Sequence, residues 1–463
     1  MRSVATVGLA LALGLALPGV PSPAVPTVRA GSSVVAAPPL IATSPVGVGD
    51  IVAGSVGRTS LHLTATYDAR LKLSWAHHRI HVDATLAITN TSGGPIDRVE
   101  LNTIAARLGA IGLEPVTVDG VAVKATRSDQ TIVVPLGGVL PAGGSMHVRV
   151  RFGATLRTNL SGSNWLFAKA NGIADLYRWL PWVSRKTAFT RPNHGDPFVT
   201  PSSPSVHVTI ITDRKLRLAT TGDRVSISAD GLTQVYRAHD VRDFTVTAAT
   251  DYRLRQRVVG DNIVRVFSRP GAPAAAMLDA AADAFKAIEA KLGPYPYRYF
   301  RVVQSAGRYG MESPALVWIP TGASRANLRY LIAHETAHQW FYGIVGNDQA
   351  REPFTDEAAA DFMARYVTGT KRASRCSTGR LDRDIYHYSA ACYYERVYIQ
   401  GGNLLDTARK RMGSAAFWAA MRRYVDDHRF GLSTTKTLLQ ALDDGTPKDL
   451  GGTLFASRFP RIY

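Results

Sequence analysis

His334 and His338 stand four positions apart in His334-Glu335-Thr336-Ala337-His338, and Glu357 follows in Thr355-Asp356-Glu357-Ala358-Ala359. On a helix that spacing puts both imidazoles on one face, where they can hold one metal ion. Two imidazoles and one carboxylate leave the fourth position of a tetrahedral zinc ion open to water, the layout of a catalytic site. Glu335 lies one residue from a ligand, where its carboxylate can take a proton from that water. The chemistry implied is zinc-assisted hydrolysis of a peptide bond.

Such a site needs rigid elements around it. Leu328, Leu331, Ile332, Trp340 and Phe341 recur at helical spacing and predict a core-packed helix from Asn327 to Phe341. Gly343 and Gly346 end that helix, and a second helical stretch, Glu357 to Val367, returns the third ligand. Upstream, Pro273 to Leu292 reads as a helix that begins near a proline and stops at Gly293-Pro294. Tyr299 to Gln304 and Leu316 to Ile319 read as strands flanking Gly310-Met311-Glu312-Ser313-Pro314. Gly402 to Met412, Ala415 to His428 and Thr434 to Leu442 carry helical patterns.

Before residue 255 the pattern is different. Arg79 to Leu86, Met146 to Phe152, Ser205 to Ile211 and Phe244 to Ala248 alternate apolar and polar residues. Ser92-Gly93-Gly94-Pro95, Asp119-Gly120, Gly143-Gly144 and Asp230-Gly231 supply turns, so an antiparallel β-domain is expected. His77, His78 and His81 cluster there, but a strand sends His78 and His81 to opposite faces, which disfavours a second metal site.

The chain has 463 residues, 46% hydrophobic and 19% charged, too long for one ordinary core. A basic start, Met1-Arg2-Ser3, precedes an apolar stretch from Val4 to Leu17 that Pro18 interrupts. The stretch is short for a bilayer span, and Val28-Arg29-Ala30 offers a cleavage site, so a signal peptide is expected over an uncleaved anchor. The domain plan is a signal peptide over 1–30, a flexible leader over 31–58, a β-domain over 59–255 and a catalytic domain over 256–463. A secreted or cell-envelope location follows. The net charge of +18 comes from scattered arginines without a compact basic run, which argues against nucleic acid. An anionic envelope surface is the partner such a charge fits; the oligomeric state stays open. In an exported chain Cys376 and Cys392 favour a bridge over two free thiols, contributing about 3 kcal/mol.

The motifs resemble those of the gluzincin aminopeptidases, the family of aminopeptidase N. Residues 339 to 356 place eighteen positions between His338 and Glu357, the spacing of that family. Gly310-Met311-Glu312-Ser313, after Gly293-Pro294-Tyr295-Pro296-Tyr297, looks like its G-x-M-E-N element in the bacterial G-M-E-Y-P form. Val397-Tyr398-Ile399-Gln400-Gly401-Gly402 is similar to its Tyr-x-Lys-Gly segment, and Asp240-Val241-Arg242-Asp243-Phe244 to the segment closing its N-terminal domain. Tyr309, Ser313 and Gln400 depart from the family's residues, and the glutamine that helps hold the substrate amine has no obvious match.

The resemblance implies an α+β multidomain fold, with a thermolysin-like, mainly helical catalytic domain and a small sheet. It implies one zinc ion on His334, His338 and Glu357, Glu335 as general base and Tyr398 as oxyanion donor, with Tyr386, Tyr388, Tyr393 and Tyr394 as rivals for that donor. Glu312 would hold the substrate ammonium, and the Gly310-Met311 backbone would pair with an extended peptide. Asp361, one turn beyond Glu357, would orient a ligand imidazole. The chain ends soon after Leu454-Phe455, so a member lacking the family's C-terminal helical domain is expected. The function expected is an exported zinc aminopeptidase. A zinc endopeptidase on the same core and a non-catalytic envelope-binding protein are the alternatives.

Overall fold

The alternation in the first half of the chain folds into a long hairpin, Leu63–Ser74 against Arg79–Asn90, in register from Leu63↔Asn90 to Ser74↔Arg79. One face of each strand is buried, through residues such as Ala69, Leu71, Val82 and Leu86. The structure, a computed structural model, describes residues 59–463; the expected signal peptide and leader lie outside them.

This hairpin is the centre of a nine-stranded sheet, with Ser145–Thr155 on one side and Val206–Thr212 on the other. Val206–Thr212 runs parallel to Leu63–Ser74, which corrects the expectation of a purely antiparallel domain. The chain reaches that strand by a long excursion over residues 156–205 rather than by a hairpin, so the parallel direction is open to it. Two four-stranded sheets complete this half. One contains Ile173–Leu176 and Val246–Ala249, the other Ile96–Asn102 and Thr131–Leu140.

A five-stranded mixed sheet follows, in the spatial order Arg253–Val259, Asn262–Ser268, Tyr299–Ser305, Leu316–Pro320, Met311–Ser313. Its first strand straddles position 255. The helix Ala274–Leu292 buries Met277, Ala281, Phe285 and Ile288 and stops at Gly293, whose φ of 100° suits glycine. Met311–Ser313 is the edge strand, antiparallel to Leu316–Pro320.

The zinc-motif helix runs Arg325–Ala337, shorter than the predicted Asn327 to Phe341. Its last turn tightens: His338 N still bonds His334 O at 3.3 Å, while Gln339 and Trp340 turn back on Thr336 and Ala337. Trp340 and Phe341 are buried from this turn. The second stretch is a π-helical turn, Phe354–Ala358, leading into the α-helix Ala359–Thr368. A second π turn, Glu395–Gln400, leads into the helix Gly401–Met412, and Ser414–Asp427 and Thr435–Asp443 follow. Cys376 and Cys392 are bridged. One hydrophobic cluster runs from Leu63 to Phe459 through both halves. Among the described residues no helix is long and apolar enough to cross a membrane.

Candidate metal and peptide site

Ser324 starts the motif helix by accepting from Asn327 N at 3.3 Å. Leu328, Ile332 and Ala333 are buried along that helix, while His334 and His338 converge on the π turn that carries Glu357. The two Nε2 atoms lie 3.2 Å apart, and Glu357 Oε2 lies 3.3 and 3.4 Å from them. Tetrahedral zinc with bonds of about 2.05 Å spaces its donors roughly 3.3 Å apart. The triangle therefore fits a zinc ion.

Two further facts agree with that fit. His338 Nδ1 meets Phe341 O at 3.0 Å, which places the proton there and leaves Nε2 a bare donor. Glu357 Oε2, buried between two imidazoles, has no hydrogen-bond partner. Burial opposes charge on Glu357, yet the His334 and His338 imidazoles beside it hold its pKa below the usual carboxylate range. A second group able to hold a metal, Glu312, Glu335 and His338, shares one imidazole with the first. Its carboxylates are the residues expected to meet the substrate and the water.

Glu335 is 4% exposed, and burial pushes its pKa well up, helped by Glu312 and opposed by His338. A β-carbon at Gly310 would fall 2.0 Å from Glu335 Oε1, so the carboxylate packs directly on the glycine backbone. Glu312, on the edge strand, is 3% exposed and accepts from Gln349 Nε2 at 2.6 Å. The same nitrogen reaches Asp356 Oδ2 at 2.9 Å, tying the edge strand to the π turn of the third ligand. Met311 is buried beside it.

Tyr398 stacks on the His334 ring, with centroids 5.5 Å apart and planes 20° apart. Burial, then the Glu357 charge, raises its pKa well above the ordinary tyrosine value. Three rivals have hydroxyls committed elsewhere: Tyr386 to Ala188 O at 2.7 Å, Tyr388 to Arg380 O at 3.4 Å, and Tyr394 to Arg372. Tyr393 remains, with a buried hydroxyl that has no partner. Asp361 is buried one turn beyond Glu357. It takes the Tyr330 hydroxyl and pairs with Arg365 at 2.8 Å, and the Tyr330 ring in turn stacks on His334. Asp361 therefore reaches the imidazole through a tyrosine rather than by its own hydrogen bond.

The site opens into a cleft of about 1130 Å³, lined among others by His334, Glu335, Glu312, Tyr393 and Tyr398. Asp196 and Arg191 line it as well, from the segment after Trp182–Val183. Asp196 is buried, accepts no hydrogen bond among the described residues, and has its pKa pushed up by burial and by the Glu312 charge. Sequence reasoning missed Asp196, Arg191 and Gln349, which no spacing links to the motif, and Tyr330, which the helical i, i+4 spacing to His334 could have found. His81 pairs with Glu114 at 3.1 Å, and no metal-holding group among the described residues includes His77, His78 or His81.

No family model matches the chain. It is 22% identical over 159 residues to aminopeptidase N of Lactococcus lactis subsp. lactis, covering 28% of this chain and 18% of that protein. The match thus spans less than a fifth of that curated relative's length. Among solved structures, the M1 zinc metallopeptidase of Deinococcus radiodurans matches with a TM-score of 0.68 and 18% identity, over 86% of this chain and 95% of that one. A mutant of it bound to a Tyr-Ser-Ala substrate matches equally well. A two-domain M1 zinc metallopeptidase mutant bound to L-arginine matches with a TM-score of 0.63 and 19% identity, over 84% of this chain and 92% of that one.

Proposed function

We propose that this chain, which has the fold of the M1 zinc metallopeptidases, is an exported zinc aminopeptidase. The observation that carries the proposal is the buried, hydrogen-bonded Glu312 carboxylate on an edge strand, in a group with Glu335 and His338. A buried carboxylate needs a cation, and the terminal ammonium of a peptide supplies one, whereas an internal peptide bond does not. The free edge of Met311–Ser313 suits an extended peptide laid as an added strand.

His334, His338 and Glu357 would hold the zinc, which when bound lowers the pKa of water toward neutrality and polarises the scissile carbonyl. Glu335 takes the proton from the attacking water and returns it to the leaving amine. The Tyr398 hydroxyl donates to the oxygen on which charge develops, a contact stronger in the transition state than in the bound peptide. Glu312 holds the ammonium and so sets the distance from the chain end to the cleaved bond. The apolar stretch Val4 to Leu17 and the Cys376–Cys392 bridge support an oxidising, exported setting. An anionic envelope surface is the partner that the net charge suggests.

The test compares a peptide bearing a free amine with its N-acetylated twin. An aminopeptidase cuts the first and leaves the second untouched. Equal cleavage of both would make the protein an endopeptidase on the same zinc core.

A further inference from the structure

Several arginines near this site have their charge answered. Arg242, fully buried, donates to four carbonyl oxygens, those of Thr200, Gly343, Ile344 and Gly431. Arg185 grips Asp348 with two bonds of 2.8 Å. Arg107, at the cleft, pairs with Asp129 at 3.2 Å.

Arg191 differs from these, as do Arg157 and Arg308 along the same cleft. It lines the catalytic cleft, yet makes no ion pair among the described residues. Its guanidinium meets Phe189 O at 3.2 Å and Ser163 Oγ at 3.5 Å, lies 5.3 Å over the Phe189 ring, and leaves Nε without a partner. Arg157 lines the same cleft, and its Nε also lacks a partner. A half-buried guanidinium stays charged and is answered best by a carboxylate, whose two oxygens match its planar fork.

The backbone that presents Arg191 is firmly placed. Two residues on, Asn193 Nδ2 donates to Tyr388 O at 3.2 Å and to Ile385 O. Its Oδ1 accepts from Gly195 N at 2.8 Å, and a β-carbon at Gly195 would meet Ile385 at 2.5 Å. The same segment carries Asp196, so anionic and cationic side chains face one cavity from a fixed strap.

We propose that Arg191, assisted by Arg157, is a subsite for a carboxylate of the bound peptide, in addition to the ammonium site at Glu312. The ligand class rests on the aminopeptidase proposal; the subsite rests on a guanidinium that feels the Asp196 charge but forms no ion pair among the described residues. Two sources share that chemistry, an acidic side chain on the first residue and the terminal carboxylate of a short peptide.

The experiment uses the zinc-loaded full chain and its R191Q variant with four substrates: alanine and glutamate anilides, trialanine, and trialanine amide. The parent is expected to favour the glutamate anilide over the alanine one, or trialanine over its amide, by about tenfold in KM. Which ratio departs from unity names the source. R191Q brings that ratio close to one and leaves the alanine anilide within about twofold. Parent ratios of one for both pairs, or an R191Q loss equal on all four substrates, would overturn the subsite. A binding measurement stands apart from turnover: calorimetric titration of glutarate into metal-free protein, with binding by the parent and none by R191Q. Should no anilide or peptide be cut while glutarate binding depends on Arg191, the peptidase proposal fails and the subsite stands. Absence of glutarate binding in the parent counts against the subsite itself.

Discussion

Glu335 packs so tightly on Gly310 that the glycine and the proposed base act as one unit. Replacing Gly310 with alanine must push the carboxylate aside, because its flexible end is what the new methyl meets. G310A is therefore expected to keep the fold and zinc stoichiometry while losing about a hundredfold in kcat, as misplacement of a general base does. E335Q should lose more and still bind zinc. Metal analysis beside steady-state kinetics checks both, and unchanged turnover in either variant removes Glu335 from the mechanism. Tyr398 and Tyr393 are separated in the same way. Y398F is expected to cost on the order of a hundredfold in kcat with little change in KM, since the hydroxyl would act only in the transition state. Y393F should stay close to the parent; the reverse ranking would transfer the role to Tyr393, whose hydroxyl is also unpartnered. The approach of His334 and His338 was legible from their i, i+4 spacing on a helix, and that of Glu357 only through the eighteen-residue interval of the resembled family. Asp196 and Arg191 were not, since a strap without periodicity, well over a hundred residues upstream, carries them to the cleft.

At the scale of elements, two π turns make the site. Glu357 and Tyr398 lie on Phe354–Ala358 and Glu395–Gln400, and each turn leads straight into an α-helix. Gly401 lets the two approach, since a β-carbon there would fall 2.6 Å from that of Ala358. The helical pattern after Glu357 was readable, but the wider turn was not, because a π turn changes hydrogen bonding without changing apolar spacing much. Gln400, where the resembled family has lysine, shows what that position does here. Its amide donates to Ser374, Cys376 and Ser377 at 3.0 Å and its oxygen accepts from Arg458 at 2.7 Å, so it pins the disulfide loop to the tyrosine turn. Elsewhere Asp175, on Ile173–Leu176, joins the β-domain to the strand Tyr299–Ser305 by accepting from Ser305 Oγ at 3.0 Å and Ala306 N at 2.9 Å. Burial raises its pKa from 3.8 to about 7 against those hydrogen bonds. The folded state thus binds a proton that the unfolded state releases above pH 4. The associated stability is full below that point and is lost as pH rises through about 7. Asparagine keeps the accepting oxygen and carries no charge. D175N is expected to gain a few kcal/mol relative to the parent at pH 8 and much less at pH 5, as read from urea unfolding at both values. An equal difference at the two pH values would contradict the account.

For the molecule as a whole, the β-rich half completes the bonding of the helical half rather than merely adjoining it. Arg242 satisfies the carbonyls of Gly343, Ile344 and Gly431, which belong to the turn after the zinc helix and to the loop facing it. Arg178 donates to the Tyr342 hydroxyl at 2.7 Å, while Asp243 takes that hydroxyl and the Ser313 hydroxyl at the end of the edge strand. Tyr342 holds a φ of 127°, unusual for a side chain of that size, and these bonds are what keep it there. Separating the halves would strand buried charges on one side and unpaired carbonyls on the other, each costing roughly 1–3 kcal/mol or more. The pieces are therefore expected to lack independent stability, even though the sequence divides cleanly into alternating and helical patterns. Calorimetry of the zinc-loaded chain is expected to show one transition, with zinc released over the same temperature range as the β-rich signal is lost. The fragment 256–463, expressed alone, should neither retain zinc nor unfold cooperatively. Two resolved transitions, or a zinc-binding fragment that melts sharply, would mean that the shared arginine and aspartate contacts add little and that each half folds on its own core.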